Sequence, residues 1–299
     1  MRRRVGVVAA LVVAVTALTG SGQAGAAAPC QKYEIRPDGA ASASLRDNPS
    51  DGDLINAVAA LVNGELGLPL PAVSNAHVCA DEAALTEEIL RNLGAGGLRA
   101  WGSVSRALGI ATRVGIFLRG DYLGRADLAG RIAVVAHELA HVSQAQLARG
   151  GQRDVPSWIS EGHAEWVAFR VLDRLGVRAY AASRERVVDS LVASRTPITL
   201  FPELSDLTAQ TLGTRWVELG HAATYGQAFL AVDWLVDQYG SASLVDYLGR
   251  FERAADPGDP WDAVFGISYG EFVADFRDHL KRLVPAHGVD DARAMAGHS

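Results

Sequence analysis

The spacing of apolar positions changes along this chain, and each change marks an expected element. Apolar residues recur three and four apart from Leu54 to Leu66 and from Asp81 to Leu93, which predicts helices; Ala72 to Cys79, between them, reads as a short strand. Arg99 to Ser105 and Thr112 to Arg119 read as two further strands, the second carrying Val114, Ile116, Phe117 and Leu118. From Arg131 to Arg149 the chain holds Ile132, Val134, Val135, Leu139 and Val142 with neither Pro nor Gly, a helical run. Gly150, Gly151 and Pro156 interrupt it, and a second helix from about Trp158 to Leu175 ends at Gly176. Further helices are expected over Arg178–Ala193, Tyr225–Tyr239, Ser243–Arg253 and Tyr269–Leu283.

Between these elements, residues 38–53 are small and polar and read as a surface loop. Gly94 to Gly97 read as a turn, since no Gly-Lys-Ser/Thr follows as a phosphate loop would require. Residues 195–222, punctuated by Pro197, Pro202, Gly213 and Gly220, read as a long and partly irregular crossing. The whole predicts an α+β fold with a small sheet and helices in the N-terminal half and a helical C-terminal half.

The ends carry a different signal. Three arginines, the charge-free run Val5 to Thr19 and the small residues up to Ala28 form a secretory signal peptide, cleaved near Ala26 or Ala28. The 15-residue apolar core is too short for a comfortable membrane span, so no stable membrane anchor is expected after cleavage. Residues 29–284 are then expected to form one domain, with an α/β half over 29–150 and a helical half over 151–284; residues 285–299 are a tail whose His287 and His298 are not assigned to metal. Without the three arginines of residues 1–28 the chain has 25 basic and 34 acidic residues, a formal charge of −9, which speaks against nucleic acid as a partner. Two cysteines in an exported chain, Cys30 and Cys79, suggest one disulfide.

The chemistry concentrates between Arg131 and Trp166. His137 and His141 are four apart on a helix, so both imidazoles share one face and can offer two nitrogens to a zinc ion. Glu138 follows the first ligand and would stand beside a metal-held water as its base. A catalytic zinc needs a third ligand, and Glu161 lies where a second helix has had room to return. Glu165, one turn on, can accept the ring N–H of His137 and hold its orientation. Trp158 reads as core, and His163 as a surface residue or one that supports a ligand from behind.

His-Glu-Leu-Ala-His followed by Trp-Ile-Ser-Glu-Gly-His-Ala-Glu-Trp resembles the gluzincin zinc metallopeptidases, and most of all the loosely defined peptidase MA-like families. The resemblance covers these two helices strongly and the rest of the chain more weakly. It implies a thermolysin-like fold with the zinc cleft between the two halves, one Zn2+ held by His137, His141 and Glu161, Glu138 as general base and Glu165 behind His137. It also implies hydrolysis of peptide bonds in a peptide or protein substrate by a zinc-bound water, at an extracellular location. A strand just before the zinc helix would pair with the extended substrate. The aminopeptidases of the clan carry Gly-x-Met-Glu-Asn there, whereas this chain reads Gly-Ile-Phe-Leu-Arg-Gly-Asp, with Asp121 the nearest acid, so endopeptidase or broad action is expected. Tyr225, or else His221, would stabilise the oxyanion. Two alternatives stay open: an exported zinc-bound module without catalysis, and a zinc hydrolase acting on a non-peptide amide or ester.

Overall fold

One edge of the sheet comes from residues with no strand-like pattern. In the computed structural model, which describes residues 30–39, 45, 48–100, 107–113, 115–149, 151, 154–194, 196–251 and 260–284, Gln31–Ile35 forms β1. It pairs antiparallel with β2 (Ser74–Cys79) from Gln31 opposite Val78 to Ile35 opposite Ser74. A Cys30–Cys79 disulfide clamps the same pair, closing a separation of 49 residues. Such a cross-link removes loop entropy from the unfolded chain, on the order of 4 kcal/mol in the chain-entropy model.

The sheet continues with β4 (Gly115–Arg119), parallel to β2, and ends at β3 (Gly109–Thr112), antiparallel to β4, in the order β1-β2-β4-β3. Of the strand expected over Thr112–Arg119, Gly115–Arg119 forms as β4, whereas Thr112 ends β3, which begins at Gly109 and meets β4 across a tight turn. The Thr112 hydroxyl donates to the Gly115 carbonyl at 3.0 Å and closes that turn. The expected strand at Arg99–Ser105 is corrected in its first two residues, which belong to a helix, while residues 101–105 lie outside the described residues, as do 1–29 and 285–299.

Helix α1 (Asp51–Ala60) begins inside the stretch expected as loop, because Ser50 caps it by accepting from the Asp53 amide, and it runs on as a π-turn at Leu61–Glu65. Helix α2 (Glu82–Ala100) starts where expected, and at Gly94, where a turn was expected, the backbone leaves the helical region (φ 69°, ψ 178°), so that a second helical piece follows across a kink. A short α3 (Gly120–Leu123) leads into α4 (Leu128–Leu147), capped by Asp127, whose carboxylate accepts from the Gly130 amide at 2.7 Å. Helix α4 packs against β3, β4 and α1. Helix α5 (Ser157–Arg174) follows and stops at Gly176, and α6 (Tyr180–Ser194) comes next.

The crossing at 195–222 is more ordered than its Pro and Gly content suggests. It holds α7 (Leu212–Leu219), which forms because Leu212 and Trp216, four apart, bury one face. A π-turn at Ala222–Gly226 leads into α8 (Gln227–Tyr239), followed by α9 (Ser241–Arg250), α10 (Trp261–Phe265) and α11 (Tyr269–Leu283). No helix among the described residues is long and apolar enough to cross a membrane.

Two compact units divide the chain. The first takes residues up to Val155, His163–Tyr180 and Leu248–Pro257, and the second takes Pro156–Gly162, Ala181–Tyr247 and Gly258 onward. In the first, a cluster of Cys79, Ala84, Leu85, Ile89, Ala107, Ile110 and Phe117 joins α2 to the sheet. In the second, Trp158, expected as core, is buried against Trp261, Tyr269 and Phe272, stacking on the last at 5.8 Å between centroids. The division falls within α5, with Glu161 in the second unit and His163 in the first.

Candidate metal centre

Burying a polar side chain costs free energy unless something compensates, and the middle of α4 buries five of them: His137, Glu138, His141, Ser143 and Gln144, each at 1% exposure or less. Helix α5 adds Glu161 at 0% and His163 at 1%. One ligand atom from each of His137, His141 and Glu161 lies within 4.8 Å of the others. The three residues expected as ligands are thus brought together in one buried group that could hold a metal ion.

The contacts on the far side of each imidazole bear on what this group would accept. His141 Nδ1 lies 2.9 Å from Gln144 Oε1, which can only accept, so Nδ1 of that ring is the donor, and the neutral ring would have its lone pair on Nε2. His137 Nδ1 faces the Glu165 carboxylate at 3.4 Å, which favours the same tautomer. The two Nε2 atoms meet at 3.0 Å, so one ring can donate to the other or both can turn a lone pair to a shared cation. Two zinc–nitrogen bonds at the tetrahedral angle would span about 3.3 Å, close to the separation found. The donor set of two imidazoles and a carboxylate is one that zinc takes readily, so the residues present fit the expected group.

Glu138 lies against the end of the sheet. A Cβ placed on Gly109 would come 2.5 Å from Glu138 Cγ and 2.7 Å from its Oε1, so only glycine lets β3 pass this close to the carboxylate. A second close approach explains the glycine after Glu161: a Cβ on Gly162 would stand 2.3 Å from the Ala228 carbonyl oxygen, where α5 meets α8. Both contacts set backbone next to a residue of the candidate site, and neither spacing is visible in one sequence.

His163 is the residue whose surface reading is corrected. It is buried, stacks on Trp166 at 6.2 Å between centroids, and its Nδ1 accepts from Gln144 Nε2 at 3.0 Å. Burial above all, and then the neighbouring His141 and His137, push its pKa down to about 3, so it is neutral. Gln144 itself was missed. The available signal was its place three residues after His141 and seven after His137, on the same helical face.

Asp121, considered as a holder of a substrate amine, is already engaged. Arg119 binds it through two hydrogen bonds of 3.0 and 2.7 Å, and Arg125 adds a third at 3.0 Å. Burial raises its pKa, but the hydrogen bonds and charge of Arg119, with Arg125 behind them, outweigh that and hold it below the usual value. Tyr225 is buried in the π-turn before α8, its ring stacked on the exposed His221 at 5.0 Å. Compared with protein-family models, with curated proteins and with solved structures, the chain finds no match.

Proposed function

We propose that this chain is an exported zinc-dependent peptidase of the gluzincin type, with a thermolysin-like domain holding one Zn2+ through His137, His141 and Glu161. The observation that carries the reading is the pair of imidazole nitrogens meeting at 3.0 Å with Glu161 beside them and both outer nitrogens facing acceptors. A bound zinc would polarise the scissile carbonyl and lower the pKa of an attacking water toward ~7.

The protein's own groups do the rest. Glu138 takes the proton of the attacking water and hands it to the departing amine, a role for a carboxylate that does not itself hold the metal. Its burial beside β3 supports this, because removal from bulk water strengthens the interactions of a charge with its neighbours. Strand β3 ends the sheet, so an extended peptide could add to it next to Glu138. Glu165 orients His137. Tyr225 is assigned the oxyanion; π-turns of the kind that holds it recur at functional sites. The engagement of Asp121 by two arginines favours cleavage of N-terminally blocked peptides over strict aminopeptidase action.

Elemental analysis of the purified protein should give one zinc per chain, and a library of N-acetylated peptides should be cleaved in a chelator-sensitive manner. Zinc without hydrolysis of any peptide would leave the binding-module or non-peptide hydrolase readings. Absence of metal would remove all three. Tyr225→Phe should lower kcat roughly a hundredfold with metal content unchanged. If His221→Ala does so instead, the oxyanion role passes to His221.

A further inference from the structure

We propose that Gln144 and His163 form a positioning relay that presents His141 to the metal in its one competent tautomer. The inference rests on the metal reading above, but its observations are separate ones: two hydrogen bonds and the chemistry of an amide. An amide offers an acceptor at one end and donors at the other, and Gln144 is used at both ends. Its Oε1 takes the His141 Nδ1 proton at 2.9 Å, and its Nε2 donates to His163 Nδ1 at 3.0 Å.

The direction of the amide matters because the reversed one is incompatible with ligation. With Nε2 toward His141, Nδ1 of that ring would have to accept, its proton would move to Nε2, and the lone pair aimed at the metal would be lost. Oε1 and Nε2 of a glutamine are close to identical in shape, so packing cannot choose between the two directions. His163 can choose: a proton on its Nε2 would leave its Nδ1 able only to accept, and it would then admit the amide donor alone. His163 in turn is held in a buried place by stacking on Trp166, with Arg170 over the ring of that tryptophan at 5.0 Å from its centroid and over Tyr180 at 3.8 Å. The relay therefore runs from an aromatic–cation stack on α5 to a ligand on α4. It also assigns His163 a place behind the site, since its Nδ1 is occupied by Gln144.

Long-range 15N–1H spectra of histidine-labelled full-length protein report which ring nitrogen carries the proton, in the metal-free state as well as the loaded one. Metal-free wild type should show His163 with its proton on Nε2. Gln144→Glu keeps an acceptor for His141 but gives His163 only a carboxylate, so His163 should move its proton to Nδ1. Gln144→Leu removes both bonds and should weaken zinc binding, measured by chelator competition, by ten- to a hundredfold, as loss of a ligand's supporting partner does elsewhere. Gln144→Glu should bind zinc within a few-fold of wild type. A His163 proton on Nδ1 in wild type, or no change in Gln144→Glu, overturns the relay. So does wild-type zinc affinity in Gln144→Leu. A wild type that takes up no zinc at all overturns the metal reading instead, whatever the tautomer spectra show. Should Gln144→Leu fail to fold, the wild-type and Gln144→Glu spectra still decide the amide direction.

Discussion

Helices α4 and α11 obey opposite rules of construction. Helix α11 turns Phe272, Phe276 and Leu280 inward at intervals of four and leaves its charges in water, and its start is closed by a capping box in which Ser268 and Glu271 satisfy each other's amides. The hydrophobic effect alone accounts for such a helix. Helix α4 also buries Ile132, Val135, Leu139 and Val142, but it carries His137, Glu138, His141, Ser143 and Gln144 into the interior with them. Water could satisfy those groups in the unfolded chain at no cost. Their burial is compensated where other protein groups replace the water, and on the proposed reading a cation does so at the imidazoles. Burial of apolar surface accounts for one helix and not for the whole of the other.

The strongest way to break that comparison is Glu138→Gln. It changes one atom type in α4, and hydrolysis of a blocked peptide should fall by at least about a thousandfold, because the amide cannot take a proton from water. Zinc content should stay at one per chain; activity near wild type would mean that Glu138 is not the base. Gly109→Ala should also lower hydrolysis strongly, since its new methyl would meet the Glu138 carboxylate, with zinc still bound. An unaffected rate there would separate β3 from the reaction.

For α11 the expectation is reversed. Phe276→Ala should cost roughly 3–5 kcal/mol of stability by denaturant titration, through lost burial and the cavity left behind, while zinc stoichiometry is unchanged. Loss of zinc in that variant would show that the packing of α11 and the metal group of α4 are coupled. Removing zinc with a chelator should lower Tm by roughly 5–10 °C if the ion is present at about a hundred times its Kd, because binding stabilises only the folded state. No shift would mean that the buried groups of α4 are balanced without a cation. The smallest effect belongs to Ser268→Ala, which removes the α11 cap and should cost about 1 kcal/mol with hydrolysis and metal content unmoved.

A second pair of residues sharpens the contrast. His77 Nδ1 on β2 donates to the Glu88 carboxylate of α2 at 2.8 Å and its ring stacks on Phe117, a His–carboxylate pair much like His137 with Glu165. Among the described residues no third ligand atom gathers around His77 and Glu88, and the pair ties a helix to a strand. A buried His beside a carboxylate is therefore not in itself a sign of a metal site. The sign is the convergence of the other nitrogens.

Much of this was legible in the sequence, for a local reason. Helical spacing alone puts His137 and His141 on one face and Glu161 one turn before Glu165, and an Asp, a Gly or a Pro at the right place marks where α4 and α5 start and stop. Helix α11 was legible to the residue because its apolar stripe and its breaks are local too. Strand β1 was not, since its outward residues are polar and its partner lies some forty residues away, joined to it by ladder bonds and a disulfide rather than by a pattern. Helix α7 hid among glycines because two buried side chains were enough to hold it. Tertiary structure alone decided that His163 is buried, that Gln144 stands between it and His141, and that Gly109 and Gly162 are needed where backbones nearly touch. Each of these depends on distances between separate elements. A sequence records which atoms are available, and only the folded chain decides which of them come close enough to exchange a hydrogen bond or to collide.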